Sequence, residues 1–166
     1  MKRETTCSFT GHRIIRSCRR DALTKQLNSA VRSLIEKGYT DFCSGGALGF
    51  DQLAAQTVIS LKNEFPHIHL CMVLPCKNQD KYWSSGQKEV YRQLVAAADK
   101  IVYTAEDYDN GCMQRRNRFL VDSASCLLAY LEQNRGGTKY TVNYAEKSGI
   151  SVLLLDGADS QQLSLL

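Results

Sequence analysis

Short apolar or β-branched segments alternate along the chain with longer segments in which apolar residues recur every three or four positions. The short segments have the length and composition of β-strands, and glycine, proline or polar turn residues follow most of them. This pattern predicts six strands, at residues 5–10, 40–44, 68–74, 100–104, 125–130 and 151–155.

The longer segments have the spacing of amphipathic helices. Gly38, Pro66 and Gly149 stand where three of these segments stop, and both residue types commonly end helices. The pattern predicts five helices, at residues 21–37, 51–65, 86–98, 112–122 and 139–148.

Strands that alternate with helices favour a parallel sheet, and right-handed crossovers place helices against both of its faces. We therefore predict an α/β fold: a three-layer, Rossmann-like, doubly wound and mainly parallel β-sheet with helices on both faces. The chain contains no internal linker, repeat or low-complexity segment. A single domain is predicted over residues 1–166, with its core at about 5–155.

Composition excludes several classes of function. The 166 residues are 43% hydrophobic and 23% charged, as in an ordinary globular protein, and the net charge of +4 is too small to indicate nucleic-acid binding by itself. No apolar run approaches the roughly 20 residues of a membrane span, so no membrane partner is expected. The seven cysteines include no Cys-x-x-Cys pair and the three histidines have no metal-ligand spacing. We predict a reduced, cytoplasmic protein with no metal site and no required cofactor.

Glycine-rich and polar motifs follow the predicted strands, at the edge of the sheet where such folds bind ligands. Glycines before a helix start can present N–H groups and the positive end of the helix dipole to an anion. The alternative is a tight turn without any ligand. The candidate phosphate or ligand contacts in these motifs are Gly11, His12, Arg13, Gly45, Gly46, Gly49, Gly136, Gly137 and Thr138.

The most informative helix lies at residues 112–122, because it places an arginine on its apolar side. Arg116 shares a helix face with Met113 and Leu120, and Asn117 lies close to that face. A buried arginine needs an anionic partner, which is either an internal carboxylate such as Asp51 or a bound phosphate or carboxylate group. We favour the bound anion, because the guanidinium fork suits phosphate, with Arg116 and Asn117 as contacts.

Other polar residues near the predicted strand ends have two interpretations each. Asp51 is either a helix-start residue with no further role, or a residue that contacts a ribose hydroxyl or pairs with Arg116. His12 either binds the ligand or hydrogen-bonds the loop backbone, and Thr138 is either a helix N-cap or a phosphate contact. An aromatic pair, Tyr82 and Trp83, either stacks on a base or covers the core.

Five motifs together resemble those of the YpsA-type, DUF1273 branch of the SLOG superfamily. They lie at residues 8–13, 45–51, 74–76, 111–118 and 136–138, and the resemblance extends over residues 5–155. The resemblance implies a Rossmann-like fold and a nucleotide or nucleotide-derived ligand. The same superfamily includes the LOG phosphoribohydrolases and the DNA-processing protein DprA.

The resemblance to the LOG enzymes is incomplete at the residues that serve their reaction. Their Met-x-x-Arg-Lys segment is matched at Met113 and Arg116, but Asn117 replaces the lysine. In their Pro-Gly-Gly-x-Gly-Thr-x-x-Glu segment only the double glycine is matched, and Asn143 or Tyr144 stands where the glutamate is expected. If the protein is an enzyme, Arg116 and Asp51 are the candidate catalytic residues.

These observations support three functional hypotheses. The first is a sensor or regulatory protein that binds a small nucleotide derivative at the carboxyl ends of the strands. The second is a phosphoribohydrolase-like enzyme that cleaves the N-glycosidic bond of such a ligand. The third is DprA-like nucleic-acid binding. The modest net charge, and a basic cluster without interleaved aromatic residues, argue against it as the main role. A homodimer is expected only by analogy with the superfamily.

Overall fold

The computed structural model describes residues 1–158, which form one six-stranded sheet with five helices around it. A short 3₁₀ turn, Arg3–Thr5, precedes the first strand. The strands are β1 (Thr6–Gly11), β2 (Asp41–Ser44), β3 (His69–Leu74), β4 (Lys100–Tyr103), β5 (Cys126–Tyr130) and β6 (Ser151–Leu155). The helices are α1 (Ser17–Glu36), α2 (Phe50–Leu61), α3 (Ser85–Ala97), α4 (Cys112–Asp122) and α5 (Gly136–Lys147).

All five strand pairings in this sheet are parallel, and the strand order is β4-β3-β2-β1-β5-β6. The chain moves outward from β1 to β4 and then returns to the other side of β1 with β5 and β6. The order therefore reverses between β1 and β5. In doubly wound folds the crevice beyond the carboxyl ends of two such strands is the usual place for a ligand.

Apolar layers cover both faces of the sheet. On one face, Leu27 of α1, Val58 of α2 and Leu94 of α3 belong to the same buried cluster as Phe9 of β1. On the other face α4 and α5 pack together against the sheet, with Val142 of α5 in the second buried cluster. Burial on both faces explains why the central strands are almost continuously apolar.

The predicted fold class is confirmed, and each predicted strand and helix is present with small differences at its ends. α1 begins at Ser17 rather than at residue 21, because its polar first turn has no apolar periodicity to reveal it. α2 ends at Leu61 rather than at residue 65, since the N–H groups of Asn63 and Glu64 bond to carbonyls three residues back, which tightens the last turn.

In the part of the chain that the structure describes, no helix is both long and apolar enough to cross a membrane. All seven cysteines are free thiols, and six of them are buried, with Cys18 as the exposed one.

Candidate functional site

A cavity of about 270 Å³ opens at the carboxyl ends of β1 and β5, where the strand order reverses. We call it the inner cavity. Its walls come from the end of β1, the turn before α2 and the first turns of α4 and α5. Three arginines line it together with a single carboxylate among the described residues, so its lining charge is positive. These four residues are Arg13, Arg116, Arg135 and Asp51.

Arg116 is the buried cation of the inner cavity, with only 4% of its surface exposed. Its Nη1 donates to the Gly45 carbonyl at 2.6 Å, and its Nε donates to Asn117 Oδ1 at 2.9 Å. Among residues 1–158, the hydrogen-bond partner of Nη2 is the Met113 sulfur, at 3.8 Å, which is a weak acceptor. Half of the guanidinium fork is therefore fixed by the protein, and the other half retains donors for an anion in the cavity.

Asp51 lies in the first turn of α2 and is 6% exposed. Burial raises the pKa of its carboxyl group, although the Arg116 charge and the Ala47 N–H group act in the opposite direction. The Ala47 N–H donates to Asp51 Oδ2 at 3.3 Å. Asp51 and Arg116 influence each other electrostatically, but within residues 1–158 they do not form an ion pair at 4 Å or less.

The first glycine-rich turn is packed against the protein itself. A Cβ added to Gly45 would lie 2.3 Å from Arg116 Nη1 and 2.8 Å from Asp51 Oδ2, so a side chain would displace both. A Cβ on Gly49 would lie 2.2 Å from the Arg13 carbonyl oxygen, and the Gly49 φ of +85° is disfavoured for other residues. Neither glycine, nor Gly46, lines either of the two cavities described for residues 1–158. A role of these three glycines in phosphate binding remains a prediction. Their contacts show that they allow the chain to pack closely at this turn.

Gly11, in contrast, lines the inner cavity and is also required for packing. A Cβ on this residue would lie 2.4 Å from the ring of Phe50, the first residue of α2. β1 and α2 can therefore approach closely only because this position has no side chain.

The second glycine-rich turn leaves open space above its backbone. No described atom lies within 4 Å of the ideal Cβ position of Gly136, and only Asn117 Nδ2, at 4.0 Å, approaches that of Gly137. These glycines begin α5, and no side chain caps the N–H groups of its first turn. Arg135 occupies the N-cap position, so the interpretation of Thr138 as the N-cap is wrong. Thr138 instead lies in the first turn of α5 and lines the inner cavity.

His12 holds the loop between β5 and α5. Its Nε2 accepts the backbone N–H groups of Glu132 and Gln133, both at 3.0 Å. An imidazole nitrogen can accept only when it carries no proton, and burial lowers the pKa of His12 accordingly. His12 also lines the inner cavity, but the contacts that it makes are those of the backbone-bonding alternative.

These contacts predict a specific pH dependence of stability. The pKa of His12 in the folded protein lies below its unfolded value of about 6.5. As the pH falls, the unfolded state therefore binds more protons than the folded state. We expect the contribution of His12 to the free energy of unfolding to be fully present above about pH 6.5. It should be lost as the pH falls from there through the lowered pKa of the folded state. His12→Gln should remove this component, because an amide oxygen can accept an N–H bond at every pH.

Urea denaturation of both proteins between pH 5 and pH 8, with hydrogen exchange of the Glu132 and Gln133 amides, measures the effect. A wild-type slope equal to that of His12→Gln would show that His12 does not hold the loop through its neutral form.

A second cavity, of about 570 Å³, adjoins the first, and we call it the outer cavity. Arg13, Ala47 and Met113 line both cavities, so the two have a common wall. Eight other residues distinguish the outer cavity: Leu48, Asn78, Gln79, Lys81, Tyr82, Trp83, Asp107 and Tyr108.

Most of the outer cavity was not predicted from the sequence. Of its eight distinguishing residues, only Tyr82 and Trp83 were predicted there as possible ligand contacts. Trp83 makes an edge contact with Tyr91 at 5.2 Å between ring centroids and packs against the core, whereas Tyr82 is 89% exposed. The signal that could have indicated the others is their position, since these loops follow β3 and β4 at the edge where ligands bind.

The residues at the position of the LOG glutamate are directed away from both cavities. Asn143 is exposed on α5, and the Tyr144 hydroxyl donates to Asp122 at 2.9 Å. Among the described residues, the carboxylates that line the cavities are Asp51 in the inner one and Asp107 in the outer one.

Comparisons with known proteins agree with this architecture. In the search of solved structures, the DNA-processing protein DprA from Streptococcus pneumoniae superimposes with a TM-score of 0.66 at 16% identity, over 97% of this chain and 53% of that protein. This chain thus spans about half the length of that protein. DprA from Helicobacter pylori, whose structure is described for its single-stranded DNA binding mode, also gives a TM-score of 0.66 at 19% identity, over 96% of this chain and 71% of its own. At these identities the likeness shows the fold alone.

Sequence comparison is more specific. The prophage-derived protein YoqJ of Bacillus subtilis is 33% identical over 139 residues, which cover 76% of this chain and 81% of YoqJ. A UPF0398 protein of Lysinibacillus sphaericus is 29% identical over 149 residues, covering 86% of this chain and 83% of that protein. Residues 16–153 match the YpsA family model, described as "YspA SLOG family". The resemblance noted in the motifs is therefore confirmed, and the chain belongs to the YpsA family of SLOG proteins.

Proposed function

We propose that this protein binds a nucleotide or nucleotide-derived small molecule and holds its phosphate group in the inner cavity. The observation that carries this proposal is the guanidinium of Arg116, which is buried at the reversal point of the sheet with Nη2 bonded only weakly, to a sulfur atom. Burying a cation is costly unless an anion compensates it, and the nearby Asp51 makes no direct ion pair with it among the described residues.

The rest of the inner cavity suits the same anion. The uncapped first turn of α5 lines the same cavity as Arg116, with Gly136 and Gly137 exposed and Thr138 in the cavity wall. Unpaired N–H groups and the positive end of the helix dipole favour phosphate at such a turn. Arg13 and Arg135 are exposed and add positive charge at the rim.

Asp51 is the group that separates the binding hypothesis from the hydrolase hypothesis. Its carboxyl group lies in the inner cavity with a raised pKa, and the position of the LOG glutamate is occupied by residues outside the cavity. The binding function needs no general acid or base, so it is the hypothesis that this set of residues supports best.

The test is isothermal titration of the purified chain with AMP, adenosine, ribose 5-phosphate and inorganic phosphate. We expect AMP to bind about 100-fold more tightly than adenosine, because the phosphate would accept charged hydrogen bonds worth roughly 1.5–3 kcal/mol each. Equal affinity for AMP and adenosine would contradict a phosphate site in the inner cavity.

Two additional measurements separate the alternative functions. Chromatography of AMP incubated with the protein would show free adenine if the hydrolase hypothesis holds, and Asp51→Asn should then abolish its release. Titration with single-stranded DNA over a range of salt concentrations tests the DprA-like alternative. A steep salt dependence, with DNA bound more tightly than any mononucleotide, would favour nucleic acid as the main partner.

A further inference from the structure

We propose that the outer cavity is a base-recognition site that selects nucleobases carrying an amino group. The inference rests on the proposed function, since it concerns the base of the ligand whose phosphate occupies the inner cavity. Three observations carry it: two buried oxygen atoms without partners, an aromatic lining, and a direct connection to Arg116.

The two unpartnered oxygens belong to neighbouring amide side chains in the loop after β3. Asn78 Oδ1 and Gln79 Oε1 are shielded from solvent and accept no hydrogen bond from any described residue. Buried polar atoms are almost always hydrogen-bonded, so two adjacent exceptions require an explanation. Both side chains line the outer cavity, and the last torsion of an amide side chain is soft. A small rotation would direct the Asn78 oxygen toward a donor in the cavity.

The lining of the outer cavity suits a flat heterocycle. Tyr82, Trp83 and Tyr108 contribute aromatic surface, and both tyrosines are well exposed, at 89% and 62%. Large exposed aromatic side chains beside a cavity can stack on a base, because every nucleobase presents a π-face. The cavity volume of about 570 Å³ is larger than that of the inner cavity and lies within the usual range for small-molecule sites.

A shared carbonyl connects the base site to the phosphate site. Gln79 Nε2 donates to the Gly45 oxygen at 3.3 Å, and Arg116 Nη1 donates to that same oxygen at 2.6 Å. Gln79 Nε2 also bonds the Tyr91 hydroxyl at 3.2 Å, so the amide of Gln79 is held in place. Gln79, which would contact the base, and Arg116, which would contact the phosphate, therefore have a fixed relative position on either side of the common wall.

The chemistry of the cavity indicates the class of base. Asn78 Oδ1, Gln79 Oε1 and the Asp107 carboxylate are acceptors that N–H groups of a base would pair with. Arg13 and Lys81 line the same cavity and are donors, so they would pair with acceptor atoms of the ligand and not with its amino group. Exocyclic amino groups supply two N–H donors each, and adenine, guanine and cytosine carry them. Uracil and hypoxanthine lack an amino group and should bind more weakly.

The experiment compares nucleotides that differ by a single amino group. AMP is paired with purine riboside 5′-monophosphate, GMP with inosine 5′-monophosphate, and ribose 5-phosphate serves as the compound without a base. We expect the amino-bearing member of at least one pair to bind about tenfold more tightly, because its partner leaves a buried acceptor without a donor.

Two variants connect this preference to the outer cavity. Asn78→Ala should reduce the preference for the amino group to about twofold, while its melting temperature stays equal to or above that of the wild type, because it removes an unsatisfied buried atom. Gln93→Ala, an exposed amide on α3, is the matched control and should leave both quantities unchanged. Tyr82→Ala should weaken AMP binding about tenfold without affecting ribose 5-phosphate.

The outcomes separate this inference from the proposed function. If ribose 5-phosphate binds as tightly as every nucleotide, the phosphate site stands and the base site is wrong. If the members of both pairs bind within about twofold of each other, amino-group selection is likewise overturned. If none of these compounds binds, the proposed function fails and this inference fails with it. A clear fall in the melting temperature of Asn78→Ala would show that the Asn78 oxygen has a structural partner.

Discussion

Arg116→Met is expected to weaken the binding of AMP about 100-fold and to lower the free energy of unfolding by about 3 kcal/mol. The loss of affinity follows from removal of the buried cation that lines the inner cavity. The loss of stability follows because Asp51 stays buried without its positive neighbour. The Gly45 oxygen keeps the hydrogen bond from Gln79, so the change does not leave that carbonyl without a partner.

The stability loss of Arg116→Met should depend on pH in a direction that identifies Asp51 as its source. Without Arg116, the pKa of Asp51 rises further above its unfolded value of about 3.9, because burial is less well compensated. The folded state then binds more protons than the unfolded state, so stability increases as the pH falls through the raised folded value. The cost of the substitution should therefore be largest near pH 8 and smaller at pH 5.

Urea denaturation of a double-mutant cycle measures this interaction. Adding Asp51→Asn to Arg116→Met should recover about 1–2 kcal/mol, because the buried charge is gone. Arg115→Met, on the exposed side of the same helix and paired with Asp109, is the matched control and should change AMP binding by less than about twofold. Unaltered AMP binding by a folded Arg116→Met protein would contradict the assignment of the phosphate to the inner cavity.

Gly49→Ala should be among the most destabilising single substitutions in the chain, with a cost above about 4 kcal/mol. The added Cβ would lie 2.2 Å from the Arg13 carbonyl oxygen and 2.7 Å from that of His12, and backbone atoms cannot rotate away as a side chain can. Gly49 also precedes α2 with φ of +85° and ψ of −122°, a backbone region that residues other than glycine seldom adopt and that costs an alanine about 1–3 kcal/mol even in open space.

The variant Gly38→Ala separates the steric clash of an added Cβ from the strain of a positive φ angle. Gly38 has φ of +98°, yet no described atom lies within 4 Å of its ideal Cβ position. In urea denaturation, Gly38→Ala should lower the free energy of unfolding by only about 1–2 kcal/mol. Failure of Gly49→Ala to accumulate in soluble form, with Gly38→Ala behaving normally, is the expected result. Free energies of unfolding within about 1 kcal/mol of each other would show that the loop after β1 and the turn before α2 are not packed as closely as described.

The elements of this fold could be predicted from the sequence because each has a strong local signal. The periodicity of α4 gave its bounds, residues 112–122, without adjustment. The inward orientation of Arg116 followed from the same periodicity, since residues three and four apart share a face. In the polar first turn of α1 the local signal was weak, and the predicted start of this helix therefore lay after its observed start.

The candidate site was less predictable, because glycines with the same local pattern have different surroundings. Gly45 and Gly136 both lie in glycine-rich turns before helices, yet Gly45 is pressed against Arg116 and Asp51 while Gly136 has open space above it. Sequence spacing carries no information on which atoms from distant segments fill that space. The same holds for His12, whose partners Glu132 and Gln133 are more than a hundred residues away along the chain.

The order of strands and helices, the parallel sheet, the family and the inward-facing arginine all follow from the chain read alone, because they depend on local periodicity and on motifs of neighbouring residues. Long-range contacts decide the rest. They separate packing glycines from exposed ones, keep Asp51 and Arg116 close without a direct ion pair, and bring the loops after β3 and β4 together as the outer cavity. Each of these depends on which parts of a sheet ordered β4-β3-β2-β1-β5-β6 become neighbours, and that order is a property of the folded chain.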